Sequence, residues 1–372
     1  MRKEIHRCSR CVMDDSSDST IRFDADGVCN YCTDAIEKGK LGYFPEKEGQ
    51  RKLAQMIERL KEAGKGKPYD CLMGISGGLD SAYLAYLGAV KWGLRICAIH
   101  VDDGFDTELA KNNIRNLCEK CHIELKVITP DAEQFNDLTR AYFMAEVPNA
   151  AIPQDNILFA CLYDYARKYK IYNFLTGANY ALECILQHGN TYTAFDMVNV
   201  RDIHKKFGRK PIDKLPFLSQ WQRVWDVNVH HINTIAPLDY IDYNKQRAIK
   251  ELHTFCGFTY YEAKHLENTL TKIIQLYWFY HKFNVDKRTS HLSSLIVSGQ
   301  MSREEALAEL AQPVYDKEKM EADLAEVLPK IGFTRKEFDE IVFRPGKQHT
   351  DYQTDKMFVL CKVLRKLHVI KY

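Results

Sequence analysis

The sequence predicts an α/β protein with a doubly wound, mainly parallel sheet, a small cysteine-rich module before it and a helical region after it. Strand-like apolar runs alternate with amphipathic segments in the middle of the chain, which is typical of parallel strands joined by crossover helices. Two Cys-x-x-Cys pairs precede this part, and helical periodicity follows it. We therefore expect three units, at residues 1–50, 51–243 and 244–372.

Composition limits the class of protein. The chain has 372 residues, of which 45% are hydrophobic, so it can bury a large core. A formal net charge of +2 makes a nucleic-acid partner unlikely on charge grounds. No apolar run is long enough for a membrane span, and the start of the chain lacks an apolar signal core. We expect a cytoplasmic protein with reduced cysteines and no membrane association.

The middle unit is predicted element by element from its periodicity. Helices are expected at 51–64, 82–92, 108–121 and 156–169, and strands at 70–75, 94–101, 123–128 and 172–176. In a sheet of this kind, ligands bind beyond the carboxyl ends of the strands. Residues 76–81, 100–104 and 176–179 all follow predicted strands, so we expect them to share one site.

The most informative of these segments reads Ser-Gly-Gly-Leu-Asp-Ser and follows an apolar run. Gly77 and Gly78 allow several backbone N–H groups to point at one anion, and the helix expected next adds its positive end. The hydroxyls of Ser76 and Ser81 supply further donors. Asp80 would repel phosphates unless a cation lay between them, so we interpret it as a Mg²⁺ ligand. An ordinary glycine turn with a helix cap is the alternative.

The cysteine-rich module predicts a metal site. Cys8 and Cys11 are separated by seventeen residues from Cys29 and Cys32, a spacing that lets a small β-hairpin close around one ion, with a strand at 20–23. Structural zinc is the first interpretation, and an iron–sulfur cluster is the alternative because four thiolates also suit it. A module this short and polar would need the metal to fold.

Seven strings together resemble a known family. The chain is similar to the N-acetyl sugar amidotransferases, a branch of the PP-loop ATP pyrophosphatase superfamily with an adenine nucleotide alpha hydrolase-like fold. These enzymes make acetamidino sugars for lipopolysaccharide and for nonulosonic acids of the pseudaminic and legionaminic type. The strings that carry the resemblance lie at residues 8–14, 23–32, 76–81, 237–244, 264–268, 282–288 and 291–300.

The resemblance implies a reaction and a nucleotide site. ATP would adenylate the acetamido oxygen of an N-acetyl sugar, ammonia would replace that oxygen, and AMP and pyrophosphate would leave. The implied cofactors are ATP, Mg²⁺ and structural Zn²⁺, with Asp80, Ser76 and Ser81 as the catalytic residues. The implied nucleotide contacts are Ser76, Gly77, Gly78, Asp80, Ser81, Val101, Asp102, Thr176, Gly177 and Asn179.

The resemblance also implies a sugar site and a partner. The basic residues of the C-terminal region suit an acidic or nucleotide-linked sugar. The chain contains no Gly-x-Cys-x-Gly glutaminase motif, and position 2 is arginine rather than a cysteine nucleophile. The chain is therefore expected to lack glutaminase activity, and the resemblance implies a separate glutaminase subunit that supplies ammonia. The implied substrate contacts are Lys264, His265, Glu267, Lys287 and Arg288.

Two other functions stay open at this point. A PP-loop tRNA-modifying enzyme of the thiolase type would adenylate a base carbonyl, and it would need a basic groove and a cysteine or cluster near the loop. Cys118 and Cys121 are better interpreted as buried thiols of a helix than as such a site. A zinc-ribbon adaptor that keeps a nucleotide fold without catalysis is the third possibility.

Overall fold

The computed structural model describes residues 5–16, 18–261, 266–358 and 360–361. Lys264 and His265, two of the predicted substrate contacts, lie outside the described residues. Within them, five parallel strands form one sheet in the order β3-β2-β1-β4-β5. The strands are β1 Cys71–Gly74, β2 Ile96–Val101, β3 Glu124–Ile128, β4 Asn173–Leu175 and β5 Asn233–Ile235. The predicted α/β class and parallel sheet are confirmed.

Helices surround the sheet and make up the region that follows it. Two π-helical stretches, Leu87–Lys91 and Ile273–Trp278, continue neighbouring helices, and 3-10 turns lie at Pro237–Tyr240 and His349–Asp351. The α-helices are α1 Asn30–Gly42, α2 Lys47–Ala63, α3 Leu79–Tyr86, α4 Glu108–Cys121, α5 Ala132–Met144, α6 Ile152–Tyr169, α7 Tyr180–Glu183, α8 Met197–Phe207, α9 Gln220–Asn228, α10 Lys245–Cys256, α11 Thr269–Lys272, α12 Phe279–Phe283, α13 Arg288–Val297, α14 Arg303–Leu310, α15 Lys317–Lys330 and α16 Arg335–Val342.

Both faces of the sheet are covered, as a doubly wound fold requires. Leu72 of β1 enters a core that it shares with α5, α6 and the C-terminal helices. Cys71 and Met73, its neighbours in the strand, enter a second core with α3, α4 and α10. Successive side chains of a strand point to opposite faces, so an almost wholly apolar β1 is what a strand buried on both sides needs.

The C-terminal helices pack onto the α/β core rather than standing apart. Trp278 is fully buried, lies edge-on to Phe143 at 5.0 Å between ring centroids, and donates from Nε1 to the carbonyl of Val147 at 2.9 Å. The aromatic side chains of Tyr277, Trp278 and Phe279 belong to this core. Helix α14 begins with a capping box formed by Ser302 and Glu305. The three domain boundaries stay predictions.

The cysteine module differs in detail from its prediction. Instead of a strand at 20–23, the structure has isolated antiparallel bridges between Arg7 and Asp14 and between Phe23 and Cys29. The second cysteine pair opens helix α1, because the chain turns directly into the helix after Cys29. Among the described residues, no helix is long and apolar enough to cross a membrane.

Candidate nucleotide and substrate site

A cavity of about 840 Å³ lies at the carboxyl edge of the sheet. The loops after β1, β2 and β4 line it on one side, as the sequence predicts, and the segment from Glu267 to Leu295 lines it on the other. A cavity of this size can hold a nucleotide and part of a second ligand. Its lining includes Ser76, Asp80, Val101, Thr176, Glu267 and Lys287.

The phosphate loop, residues 76–81, requires a glycine at 77 and has little free space beside 78. Gly77 has φ +79°, and a Cβ atom there would lie 2.9 Å from the carbonyl oxygen of Ala110. A Cβ at Gly78 would lie 2.8 Å from Oε1 of Glu267. The backbone N–H of Gly78 donates to the Ser76 hydroxyl at 3.2 Å. The loop is therefore held in a shape that a larger residue would disrupt.

Asp80 is oriented by a residue that the sequence did not single out as functional. The hydroxyl of Tyr243 donates to Oδ1 of Asp80 at 2.5 Å. Tyr243 is only 1% exposed, and its ring stacks on Tyr83 with centroids 5.5 Å apart. Gly177 lets the loop after β4 approach closely, since a Cβ there would lie 3.0 Å from the Asp80 carbonyl carbon. The carboxylate is thus fixed in position within the phosphate loop.

Hydrogen bonds between side chains join the loop after β2 to the C-terminal region. The carboxylate of Asp103 accepts from Nε2 of Gln154 at 2.5 Å and from Nδ2 of Asn268 at 3.0 Å. Asn268 also donates to Oδ1 of Asp106 at 3.1 Å. Burial, and next the charge of Asp106, raise the pKa of Asp103 to about 6. These contacts hold the segment that begins at Glu267 beside the phosphate loop.

His100 connects Asp106 to Ile75, the residue directly before the phosphate loop. Its Nδ1 lies 2.9 Å from the carbonyl oxygen of Ile75, and its Nε2 lies 3.0 Å from Oδ2 of Asp106. Burial opposes protonation, but the hydrogen bond and charge of Asp106 prevail and raise the pKa of His100. Through its contact with Ile75, His100 supports the end of the segment that leads into the phosphate loop.

Glu267 was predicted as a sugar contact, and the structure places it against the phosphate loop. Its Oε1 accepts from the Ser76 hydroxyl at 3.1 Å. The residue is 7% exposed, and its Oε2 is buried without a hydrogen-bond partner in the described part of the chain. A buried carboxylate oxygen without a partner is costly and calls for an explanation.

Lys287 and Arg288 are adjacent but differ in position. Lys287 lines the cavity, with its ammonium 4.5 Å from the ring centroid of Phe279, and burial lowers its pKa to about 8. Arg288 is absent from the cavity lining. Its guanidinium pairs with Asp286 at 2.7 Å and donates to the carbonyl of Glu309 at 3.1 Å. Arg288 therefore has a structural role, since these acceptors occupy its donors, and its contact with substrate stays a prediction.

Some of the remaining predicted nucleotide contacts line the cavity and others do not. Val101, Thr176 and Gly177 line the cavity. Asp102 accepts from the backbone of the loop that follows β2, and Asn179 caps helix α7. The last two shape the sheet edge, and direct nucleotide contact by them stays a prediction.

The four cysteines of the N-terminal module converge. Their sulfur atoms all lie within 4.8 Å of one another, and all four residues are fully buried. The sulfurs of Cys11 and Cys29 are 3.7 Å apart, and those of Cys8 and Cys32 are 3.9 Å apart. Backbone N–H groups of Cys11 and Cys29 point at the Cys8 sulfur. This arrangement can bind one metal ion with four protein ligands.

The module also supports one wall of the cavity. Arg303 donates to the backbone carbonyls of Cys8 and Cys11, at 3.0 and 3.1 Å. The backbone N–H of Val12 donates to the hydroxyl of Ser293, which lies on helix α13. Helix α13 begins directly after Lys287. The cysteine module therefore contacts the helix that positions this lysine.

Sequence reasoning missed several residues that now belong to the site. Tyr243, Gln154 and Asn268 make the contacts described above, whereas His100 lies in the segment 100–104 that the sequence placed at the site. Tyr243 and Asn268 lie inside strings that carry the family resemblance, which was the available signal. No sequence signal pointed to Gln154, because its contact with Asp103 joins positions far apart in the chain.

The chain is similar to known proteins over different parts of its length. Residues 267–367 match the family described as LPS biosynthesis protein WbpG-like, C-terminal domain. An uncharacterized protein of Methanocaldococcus jannaschii is 23% identical over 317 residues, covering 84% of this chain and 95% of that protein.

Two solved structures are distantly similar. NMN synthetase from Francisella tularensis is 15% identical with a TM-score of 0.35, covering 77% of this chain and 96% of its own. The U34-tRNA thiolase NcsA from Methanococcus maripaludis, with its [4Fe-4S] cluster, is 16% identical with a TM-score of 0.33, covering 82% of this chain and 89% of its own.

Proposed function

We propose that this chain, whose residues 267–367 are WbpG-like, is an ATP-dependent amidotransferase that converts the acetamido group of an N-acetyl sugar into an acetamidino group. One observation carries the proposal. A single cavity joins the phosphate loop to a wall that the family-matched region supplies. An activating nucleotide and the group to be activated can therefore meet in one space.

The chemistry needs activation because an acetamide oxygen is a very poor leaving group. In the proposed reaction that oxygen attacks the α phosphorus of ATP and pyrophosphate leaves. Ammonia then adds to the carbon, and AMP departs with the original oxygen. Backbone N–H groups of Gly77 and Gly78 would bind the pyrophosphate, with the hydroxyls of Ser76 and Ser81 orienting its oxygens. Mg²⁺ at Asp80 would neutralise the negative charge that accumulates there.

The other end of the cavity would bind the sugar. Lys287 has no carboxylate within ion-pair distance among the described residues, so an acidic group of the substrate would satisfy its charge. Ammonia would come from a separate glutaminase subunit. Its route into the cavity would be closed to solvent, since water entering the cavity would compete as the nucleophile.

The metal at the four cysteines is proposed to be structural zinc. A Zn–S distance of about 2.3 Å in a tetrahedron separates neighbouring sulfurs by roughly 3.8 Å. The separations of 3.7 and 3.9 Å match this value, and all four sulfurs lie within 4.8 Å of one another. An iron–sulfur cluster would place the sulfurs that bind different iron atoms farther apart.

The thiolase alternative is less well supported. Among the residues that line the cavity there is no cysteine. Cys118 and Cys121 are buried in helix α4, and burial raises the pKa of each thiol to about 12. Neither is a reactive thiolate near the loop.

The test is incubation of the protein with ATP, Mg²⁺, ammonium and a panel of acetamido sugars, followed by mass spectrometry. The expected product has NH in place of one oxygen, with AMP and pyrophosphate formed only when the sugar is present. Asp80→Asn serves as the inactive control. Release of ADP and orthophosphate, or pyrophosphate release that depends on tRNA instead of sugar, would contradict the proposal.

A further inference from the structure

Glu267 is the buried charged group of the cavity that the proposed mechanism leaves without a task. Its carboxylate contacts Ser76, the first residue of the phosphate loop, through one oxygen only. The second oxygen is buried and has no partner in the described part of the chain. A cation or a hydrogen-bond donor must satisfy that oxygen when the site is occupied.

The backbone that carries this carboxylate is held in place beside the phosphate loop. The N–H of Thr107 donates to the Glu267 carbonyl at 3.0 Å, and the N–H of Thr269 donates to the Phe105 carbonyl at 2.8 Å. The side chain of Asn268, between them, is held by Asp103 and Asp106. The backbone on both sides of Glu267 is thus held by hydrogen bonds, next to the place where phosphate oxygens would bind.

We propose that Glu267 binds a second divalent cation, which bridges its carboxylate to the triphosphate, in addition to the cation at Asp80. This inference rests on the proposed ATP binding. A cation at this position satisfies the unpartnered oxygen and removes the repulsion between a fixed carboxylate and the phosphates.

The donor set suits Mg²⁺ and places the site with the nucleotide rather than with the protein alone. Mg²⁺ is usually bound by one or two carboxylates together with substrate phosphates and water. Among the described residues, a ready-made group of three or more ligating side chains occurs only at the four cysteines. Asp80 belongs to the phosphate loop and is oriented by Tyr243, whereas Glu267 contacts the loop from the C-terminal region. The two carboxylates therefore come from different elements.

The first test counts cations by Mn²⁺ electron paramagnetic resonance, with α,β-methylene ATP as the nucleotide. Wild type is expected to hold two Mn²⁺ ions per bound nucleotide, and Glu267→Gln and Asp80→Asn one each. Glu304→Gln, an exposed glutamate of helix α14, is the matched control and should hold two. One Mn²⁺ per nucleotide in wild type would overturn this inference alone, whereas failure to bind nucleotide at all would overturn the proposed function as well.

The second test distinguishes a cation ligand from a merely structural residue. Without divalent cations, Glu267→Gln should bind the nucleotide about tenfold more tightly than wild type, because the repulsion is gone. With saturating Mn²⁺ it should bind about tenfold more weakly, because a ligand of the bridging ion is lost. Weaker binding under both conditions would show that Glu267 only maintains the loop and would overturn the inference. Circular dichroism checks that each variant is folded.

Discussion

The two sides of the cavity are built in contrasting ways. On one side, the phosphate loop consists of six consecutive residues, and we propose that their backbone N–H groups bind phosphate. On the other side, which we call the substrate wall, Thr271, Gln275, Lys287 and His291 come from separate parts of the C-terminal region. A backbone cradle suits an anion that all enzymes of this chemistry share, whereas a wall of side chains can vary to fit one substrate.

The largest effect is expected at the phosphate loop. Asp80→Asn should lower turnover by about a hundredfold to a thousandfold, since a bound cation supplies several kcal/mol of transition-state stabilisation. The loss should be the same for every sugar that is accepted. Steady-state kinetics with pyrophosphate detection measure it, and a loss confined to one sugar would break the proposed division between the two sides.

Removing the metal should affect the substrate wall more than the loop. Cys29→Ser is expected to lose the metal and to loosen helix α13, because the module contacts that helix through Ser293. Sugar affinity should then fall while nucleotide affinity changes little. Metal analysis and calorimetric titration with each ligand measure this.

Cys184→Ser is the matched control for that experiment. Its thiol is half-buried beside the module and donates to the carbonyl of Ser294, but it is not one of the four converging sulfurs. This variant should keep the metal and both affinities. Equal losses in the two variants would mean that packing, rather than the metal, supports the wall.

Tyr243→Phe should give an intermediate effect that belongs to the phosphate loop. The change keeps the ring that stacks on Tyr83 and removes the hydroxyl that orients Asp80. A hydrogen bond to a charged group is worth about 1.5–3 kcal/mol, so turnover should fall roughly tenfold to a hundredfold. The Mg²⁺ concentration that gives half-maximal rate should rise as well. An unchanged Mg²⁺ requirement would mean that Tyr243 does not position Asp80.

Lys287→Met should act on the sugar only. Loss of the ammonium that faces the cavity is expected to raise KM for an acidic sugar about tenfold, with kcat and KM for ATP nearly unchanged. Lys317→Met, at an exposed position of helix α15, is the control for charge alone. A matching rise in KM for ATP would instead assign Lys287 to the nucleotide.

An effect outside the cavity concerns the stability of the C-terminal region against pH. His349 is 2% exposed, its Nδ1 lies 2.9 Å from Oδ1 of Asn199, and burial lowers its pKa to about 3. Between pH 6.5 and about 3 the unfolded chain binds a proton at this site that the folded chain does not, so folding stability falls as the pH falls. This one group contributes a slope of up to about 1.4 kcal/mol per pH unit.

His349→Gln should make the free energy of unfolding less dependent on pH over that window. Urea titrations at several pH values between 6.5 and 5 measure the slope for both proteins. If the slopes are equal, other groups carry the acid sensitivity.

Features that depend on neighbouring residues could be predicted from the sequence. The strand before the phosphate loop, the glycines at 77 and 78, the capping box of α14 and the paired cysteines all express local backbone or ligand chemistry. Helix α4, with Cys118 and Cys121 buried, followed from its periodicity. Strand β5 was missed because three residues, two of them exposed, carry no periodic signal.

The amino-acid sequence by itself determined the fold class, the glycine loop after β1 and the two cysteine pairs, because hydrophobic periodicity, turn chemistry and Cys-x-x-Cys spacing are each set by residues close in the chain. Only the tertiary structure decided that Glu267 contacts Ser76, that Tyr243 holds Asp80, and that Arg288 is engaged elsewhere. Those pairings, apart from that of Arg288 with Asp286, join segments more than 160 positions apart. Their geometry depends on how the helices pack around the sheet, which no local pattern encodes.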